Sequence, residues 1–307
     1  MTHAPTLKQL RYLRALAEER HFGHAAARCH ISQSTLSTGI QELERMLDAT
    51  LIERNNKQVM LTPLGEEVLQ RGCQILGLVD DLMAACDRSS KPFQQQLRLG
   101  VIPTIAPFLL PKLLQSLRRE HPDFRLYIRE NLSEPLIAEL ARGELDLLLL
   151  ALPYPAEGVT TEFLFHDPFT LALPKGHNFC DQQAVSTSQL KGQDLLLLED
   201  GHCLREHVLE ACQLRESDFN LPYKATSLNT IVQMVANGIG MTLLPQMAQA
   251  SGILTGTDIA TRPFEEACVW RSIGLMWRQS SPRAEEFKIL GEFIRTITNS
   301  EPATENL

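Results

Sequence analysis

Cys203 and Cys212, nine positions apart, are the residues of this chain whose types and spacing most directly suggest chemistry. Cys203 follows the apolar run Leu195–Leu198 and the turn-forming Glu199, Asp200, Gly201 and His202, and it opens a helix-like pattern that continues to Cys212. A strand ending in such a turn delivers the next residue at its carboxyl end, an exposed and polar place for a thiol. His202 and Arg205 are cationic or polarisable neighbours of the kind that lower a thiol pKa and enrich the thiolate. If the intervening residues form one helix, the two sulfurs lie on roughly opposite faces and about 13 Å apart along the axis. A disulfide tolerates Cα separations only up to about 7 Å, so a bond between them requires the segment to unwind. A pair that is too far apart in one state and able to bond in another is a switch. The plain alternative is inert packing, since cysteine is among the most buried residue types.

The composition narrows the setting. With 307 residues, 44% of them apolar, the chain is long enough for two or more domains with ordinary cores. Its longest apolar stretch, Leu145 to Leu152, is interrupted by Asp146, so no segment reaches membrane-spanning length. The start, Met1 to Pro5, lacks the charged-then-apolar pattern of a secretory signal, and a cytoplasmic location is expected. Seven cysteines, at positions 29, 73, 86, 180, 203, 212 and 268, are scattered, without a Cys-x-x-Cys pair. Free thiols are therefore expected, with no metal site and no cofactor. The net charge of −8 argues against bulk attraction to nucleic acid while allowing a local basic surface.

Two kinds of element must position the rest. Leu7 to Glu19 has apolar residues at helical spacing, and the small Ala25, Ala26 and Ala27 permit close helix approach. Ser32 is a good N-cap for a helix whose buried stripe is Leu36, Ile40, Leu43 and Leu47. The other face opens with Gln33, Ser34, Thr35, Ser37 and Thr38, short donors and acceptors of the kind a recognition helix sends to base edges in the major groove. A solvated polar face is the competing reading. Leu51 to Leu61 reads as a small hairpin with Arg54 and Lys57 near its tip, suited to touching phosphates as a wing does. Thr62 and Pro63 then start a helix of over twenty residues to about Cys86, with the seam Leu64, Val68, Ile75, Val79, Leu82 and Met83 predicting pairing with a second subunit. Residues 89–96 read as a linker.

From Leu97 the period changes. Strand-like runs at 97–102, 125–128, 145–152, 169–173, 195–198, 241–244 and 272–277 alternate with helical segments, which predicts an α/β domain with a mainly parallel sheet and crossover helices. Ligands of such sheets bind outside the carboxyl ends of the strands. The loops 103–107, 131–135 and 199–203 lie there and bring hydroxyls, a thiol and backbone N–H groups.

This layout resembles the LysR-type transcriptional regulators, and the resemblance covers essentially the whole chain. It is carried by His21 and Phe22, Ala25 and Ala26, Ser32 and Gln33, Thr35 to Ser37, Ile102 to Pro107, Leu109 to Pro111, Leu198 to Arg205, Cys212, Ala225 to Leu228 and Thr242 to Pro245. Gly201-His202-Cys203 with a second cysteine nine residues on is similar to the peroxide-sensing members in particular. The resemblance implies an N-terminal winged helix-turn-helix over 1–62, a linker and dimerisation helix over 63–88, a hinge over 89–96 and a two-lobed, periplasmic-binding-protein-like regulatory domain over 97–307. Lobe I would span about 97–166 and 269–300, and lobe II about 167–268. It implies a homotetramer, a dimer of dimers, that binds double-stranded DNA operators and RNA polymerase, responds to hydrogen peroxide and is reset by a thioredoxin-like or glutathione-dependent reductant. Cys203 would be the peroxidatic cysteine and Cys212 the resolving one. His202 matches the family's histidine beside the thiol, Thr104 the threonine that approaches peroxide, and Arg271 an arginine that favours the thiolate. Ser133 stands where relatives carry a threonine, Ser34 where a proline is usual, and Thr38-Gly39 in place of Gly-Gln. The expected role is a transcriptional activator and not an enzyme. The alternative is a regulator of the same family that binds a small metabolite between the two lobes.

Overall fold

A computed structural model describes residues 4–55, 58–86, 92–218 and 224–299. The chain divides into two compact units, one built on residues 1–88 with 139–144 and the other on 89–138 and 145–307.

In the first unit, α1 (Leu7–Glu19), α2 (Phe22–Arg28) and α3 (Gln33–Leu47) pack together. Each starts on a side-chain cap that satisfies otherwise orphaned N–H groups: Thr6 with Gln9 before α1, His21 Nδ1 before α2 and Ser32 Oγ before α3. Leu13, Leu16, Ala25, Leu36, Ile40, Leu43 and Leu51 fill the core, each large aliphatic side chain contributing roughly 1.5–3 kcal/mol when fully buried. Leu47, expected in that stripe, is exposed because α3 ends there. The hairpin β1 (Ile52–Asn55) and β2 (Gln58–Leu61) follows as predicted. Thr62 Oγ1 donates to the Thr50 carbonyl at 2.8 Å and accepts from Gly65 N–H at 2.9 Å, so it ties the hairpin base to the start of α4 (Pro63–Cys86). A Cβ on Gly65 would lie 2.1 Å from the Leu51 carbonyl oxygen, which is why this turn needs glycine.

In the second unit the strands are β3 (Leu97–Val101), β4 (Leu126–Glu130), β5 (Leu147–Leu152), β6 (Val159–Pro174), β7 (Leu197–Leu198), β8 (Lys224–Ala225), β9 (Thr242–Pro245), β10 (Ile259–Arg262) and β11 (Trp270–Arg278). The helices are α5 (Ala106–Glu120), α6 (Ser133–Ala141), α7 (Cys203–Ala211), α8 (Leu228–Ala236), α9 (Gln246–Ala250) and α10 (Ala284–Asn299). The main sheet runs β10-β6-β11-β5-β3-β4, with β9 also paired to β6. The parallel expectation holds only locally. β4, β3 and β5 are parallel, joined by the crossover helices α5 and α6, whereas β11 lies antiparallel to both β5 and β6, and β6 is antiparallel to β9 and β10. The 16-residue β6 spans two partner sets, pairing β11 through Pro168 and then β9 and β10 through Pro174.

The central strand β5 carries Leu147 to Leu150, all without solvent exposure, as a strand covered on both faces requires. Asp146, which interrupts the apolar run, is held by Arg98: the backbone N–H donates at 2.8 Å and the guanidinium at 2.6 and 3.1 Å. A second core gathers Leu171, Leu195 to Leu198, Val208, Cys212, Ile231, Val235, Leu243 and Val269. The ends of β3, β4 and β5 therefore meet the start of α7, and the rest of the fold holds them there. Leu149→Ala should cost about 2–5 kcal/mol through the cavity it leaves in the central strand. Urea unfolding checks this, with a lowered midpoint and an unchanged slope as the expected result.

Candidate functional site

Cys203 is the first residue of α7, delivered by the turn Glu199–His202, in which Gly201 takes φ +94°. That left-handed conformation favours glycine and lets the chain reverse from β7 into the helix. The expectation of an exposed thiol is corrected: Cys203 is only 7% exposed. Ile102, Pro103 and Thr104 from the end of β3, and Leu132 and Ser133 from the start of α6, close over it together with Gly201 and His202. Between them they leave only a narrow crevice at the thiol.

The electrostatics differ from the sequence reading in source and in sign. Burial pushes the Cys203 thiol up from its ordinary pKa, opposed by the Ser133 hydroxyl, the Arg271 guanidinium and the Ala151 backbone, with Glu206 acting upward. His202 is itself buried, which lowers its pKa, so it is a neutral neighbour and not a cation. Arg205 does not support the thiolate either. Its Nη1 donates to the Leu198 carbonyl at 3.3 Å and lies 3.5 Å from Asp200, bracing the turn.

The cation that acts on the thiol comes from β11. Arg271 is fully buried and bound on three sides. Its Nε and Nη2 lie 3.0 and 2.9 Å from one oxygen of Asp167, Nη1 donates to Thr104 Oγ1 at 2.8 Å, and Nη2 donates to the Thr104 carbonyl at 2.9 Å. Asp167, on β6, accepts from Met247 N–H at 3.0 Å with its other oxygen. Burial raises the pKa of this carboxyl, and the Arg271 charge and the Met247 and Gln246 N–H groups oppose the rise. Thr104 Oγ1 already accepts from Arg271, so its single O–H is free to donate into the crevice. Ser133 Oγ is buried with no hydrogen-bond partner, and its hydroxyl lies near enough to Cys203 to favour the thiolate. The structure thus brings together Cys203, Thr104, Ser133, His202 and Arg271. Sequence reasoning missed Asp167; the one available signal was a carboxylate at a strand position flanked by Phe165 and Phe169, which burial obliges to find a cation.

Cys212 caps the far end of α7, buried in the second core, and burial pushes its thiol up to about 12, with Glu266 and Cys268 adding to the rise. In this conformation it is a thiol and a poor nucleophile.

On α3, Gln33, Ser34, Thr35 and Thr38 are exposed and Ser37 is half-buried. The Ser32 hydroxyl lies 2.9 Å from Ser34 Oγ and 2.7 Å from Thr35 Oγ1, a network that preorganises the start of the helix. Lys57 lies outside the described residues, as does the side chain of Arg54. Among the described residues no group of His, Cys, Asp and Glu has the arrangement of a metal site, and no helix is long and apolar enough to cross a membrane.

A helix-turn-helix with a hairpin wing in one unit, and a mixed α/β unit with a guarded thiol at converging strand ends in the other, define a DNA-binding transcriptional regulator with an appended sensory domain. The chain belongs to the LysR family: residues 7–66 match the bacterial regulatory helix-turn-helix of that family and residues 90–298 its substrate binding domain, of periplasmic-binding-protein type. It is 40% identical over 299 residues to the HTH-type transcriptional regulator EstR of Acinetobacter baylyi, covering 97% of this chain and 99% of the relative. It is 36% identical over 294 residues to the DNA-binding transcriptional dual regulator OxyR of Escherichia coli K12, covering 94% of each. Among solved structures, a Cys-to-Asp variant of full-length OxyR from Pseudomonas aeruginosa aligns with a TM-score of 0.82 at 35% identity, covering 99% of this chain and 100% of that one. A hydrogen-peroxide-bound Cys-to-Ser variant of OxyR from Corynebacterium glutamicum aligns at 0.67 and 34% identity, covering 97% and 94%. The chain is therefore a LysR-family regulator homologous to OxyR, and not an enzyme.

The Arg271 network sets a measurable dependence. Arg271→Gln should destabilise the protein by about 3–5 kcal/mol, because it leaves Asp167 buried without its cation. It should also slow alkylation of Cys203 at any pH below the thiol pKa, since the thiolate loses its nearest positive charge. Denaturation and the pH profile of iodoacetamide labelling read these out, and an unchanged labelling profile would remove Arg271 from the thiol's environment.

Proposed function

We propose that this regulator senses hydrogen peroxide through Cys203 and passes the signal to DNA by refolding α7. The observation that carries the reading is the placement of Cys203 and Cys212 at opposite ends of one nine-residue helix, the first beneath the Thr104 and Ser133 hydroxyls and the second sealed in a core. In this reading the Cys203 thiolate attacks one peroxide oxygen. The S–O bond forms as the O–O bond breaks, and the departing hydroxide takes up a proton to leave as water. Thr104 donates to the peroxide, Ser133 positions it and Arg271 stabilises the thiolate. The sulfenic acid then condenses with the Cys212 thiol, forming the disulfide and releasing a second water. Two thiols have given up two electrons, and a thioredoxin-like or glutathione-dependent reductant returns them by exchange.

Because the pair cannot bond while α7 is helical, the disulfide traps an opened conformer. Residues 97–307 would be the sensing domain, its lobes spanning about 97–166 with 269–300, and 167–268; residues 89–96 would be the hinge, 63–88 the pairing helix and 1–62 the DNA-binding domain. Support for pairing comes from α4, where Ile75, Leu78 and Leu82 are exposed at spacings of three and four. Opening α7 would change how regulatory domains meet within a homotetramer on its operators, and with it the access of RNA polymerase. Gln33, Ser34, Thr35, Ser37 and Thr38 would read base edges, with Arg54 and Lys57 on phosphates. A metabolite bound between lobes is the weaker reading, because the polar groups gathered at the strand ends, Thr104, Ser133 and Arg271, converge on a thiol.

Cys203→Ser should leave operator binding within a factor of two or so while abolishing peroxide-dependent transcription, as an electrophoretic shift and an in vitro transcription assay with one equivalent of peroxide would show. Peptide masses should place the wild-type disulfide between Cys203 and Cys212. Peroxide-responsive transcription by the serine variant, or a disulfide through another cysteine, would contradict the assignment.

A further inference from the structure

His207 has no part in the chemistry above, yet it is a buried polar side chain on α7. It follows Cys203 by four residues, so the two side chains share one face of the helix. Only 8% of it is exposed. One ring nitrogen bonds the backbone of Pro153, which as a proline offers only its carbonyl, so the ring donates there. Nδ1 is buried with no hydrogen-bond partner. A polar atom left unsatisfied in this way destabilises the conformer that buries it.

The charged groups that bear on the ring are Arg271 from β11, itself paired with Asp167, and Glu206 and Glu210 from α7. Tyr154, beyond the end of β5, bears on the same neighbourhood through Glu206 and Cys203. Burial first, and the Arg271 guanidinium second, push the His207 imidazole below its ordinary pKa, with the two glutamates and the Pro153 carbonyl opposing. The imidazole is thus neutral in the helical conformer. His207 also lies midway between Cys203 and Cys212, inside the segment that must open for them to bond.

We infer that His207 is a proton-linked positioning residue of the α7 switch: docked on the Pro153 carbonyl it holds the helical, dithiol conformer, and once released it takes up a proton that favours the opened, disulfide-bonded one. The inference rests on the reading that Cys203 and Cys212 bond by opening α7. Its sign follows from linkage. Released, His207 regains a pKa of about 6.5, so above that pH both conformers hold it neutral and it adds no pH dependence. As pH falls from there towards the depressed value, the opened conformer binds a proton the helical one does not. The helical conformer then loses relative stability by up to about tenfold per pH unit. Oxidation removes two electrons and two protons from the thiols, and in this window one proton returns to His207, so one is released net.

The test is a redox equilibrium of the full-length protein against oxidised and reduced dithiothreitol between pH 5.5 and 8, with the Cys203–Cys212 disulfide quantified by mass after thiol trapping. His207→Gln keeps a donor for the Pro153 carbonyl but has no group that titrates here. The wild-type to His207→Gln ratio of equilibrium constants should be flat above about pH 7.5 and rise below about 6.5 towards tenfold per unit, about 30 mV for a two-electron couple. His202 is a second buried histidine beside the thiol, so His202→Gln is run alongside and must retain the low-pH rise that His207 causes. If His207→Gln does not fold, His207→Asn is used in its place, with the same rise expected to be lost. Parallel pH slopes in the wild type and His207→Gln, or no low-pH rise in His202→Gln, would overturn the inference while leaving the disulfide intact. Absence of a Cys203–Cys212 disulfide at every pH would overturn the underlying reading, and this inference with it.

Discussion

The buried ion pair between Arg271 and Asp167 is the constraint on which the rest of the site depends. A guanidinium without solvent is tolerable only if its charge is balanced and its N–H groups are used. Asp167 supplies the counter-charge, held in turn by Met247 N–H, and Thr104 takes two of the remaining hydrogen bonds. In satisfying itself the arginine fixes the end of β3, aims the Thr104 hydroxyl and sets a positive charge beside Cys203. The antiparallel return of β11 between β5 and β6 makes this possible, because it carries a cation from the far end of the chain into the strand-end crevice.

Burial and charge pull the Cys203 thiol in opposite directions, and the order of these effects explains the character of the site. Burial is the larger, so the resting cysteine is guarded, while Ser133, Arg271 and the Ala151 backbone ease thiolate formation without exposing it. Cys212 is quieter still, its pKa pushed up to about 12 within an apolar core. Neither thiol reacts with the other as long as α7 is intact. Under the proposed function, a sensor built this way would be silent by default, with its threshold set by the stability of one short helix. His207 adds to that stability a term that depends on pH.

Local order was readable in the residues. The helices of the DNA-binding unit carry apolar stripes at spacings of three and four, and Ser32 and Thr62 with Pro63 mark two of their starts, so α1, α3 and α4 lie where the pattern puts them. The hairpin and the strand-to-helix turn before Cys203 were legible for the same reason: turn chemistry is local. Pairing is not local. The first half of β6, Val159 to Asp167, mixes polar and apolar residues without a clean alternation, and nothing in it announces β11 as partner or an antiparallel sense. The burial of Cys203 depends on Ile102 and Leu132, about seventy to a hundred residues away in the chain, and so lay beyond a reading of its immediate neighbours. Asp167 and His207 were missed on the same ground, since each acquires its meaning only from Arg271.

The central claim is that Cys203 and Cys212 meet only by dissolving the helix between them. Amide hydrogen exchange across α7, followed before and after one equivalent of hydrogen peroxide, tests it most directly. The account predicts that amides from Leu204 to Ala211 are protected in the reduced protein and lose that protection on oxidation, while α3 and the central strand β5 keep theirs. Protection of α7 that survives in a fully oxidised, Cys203–Cys212-bonded protein would contradict it.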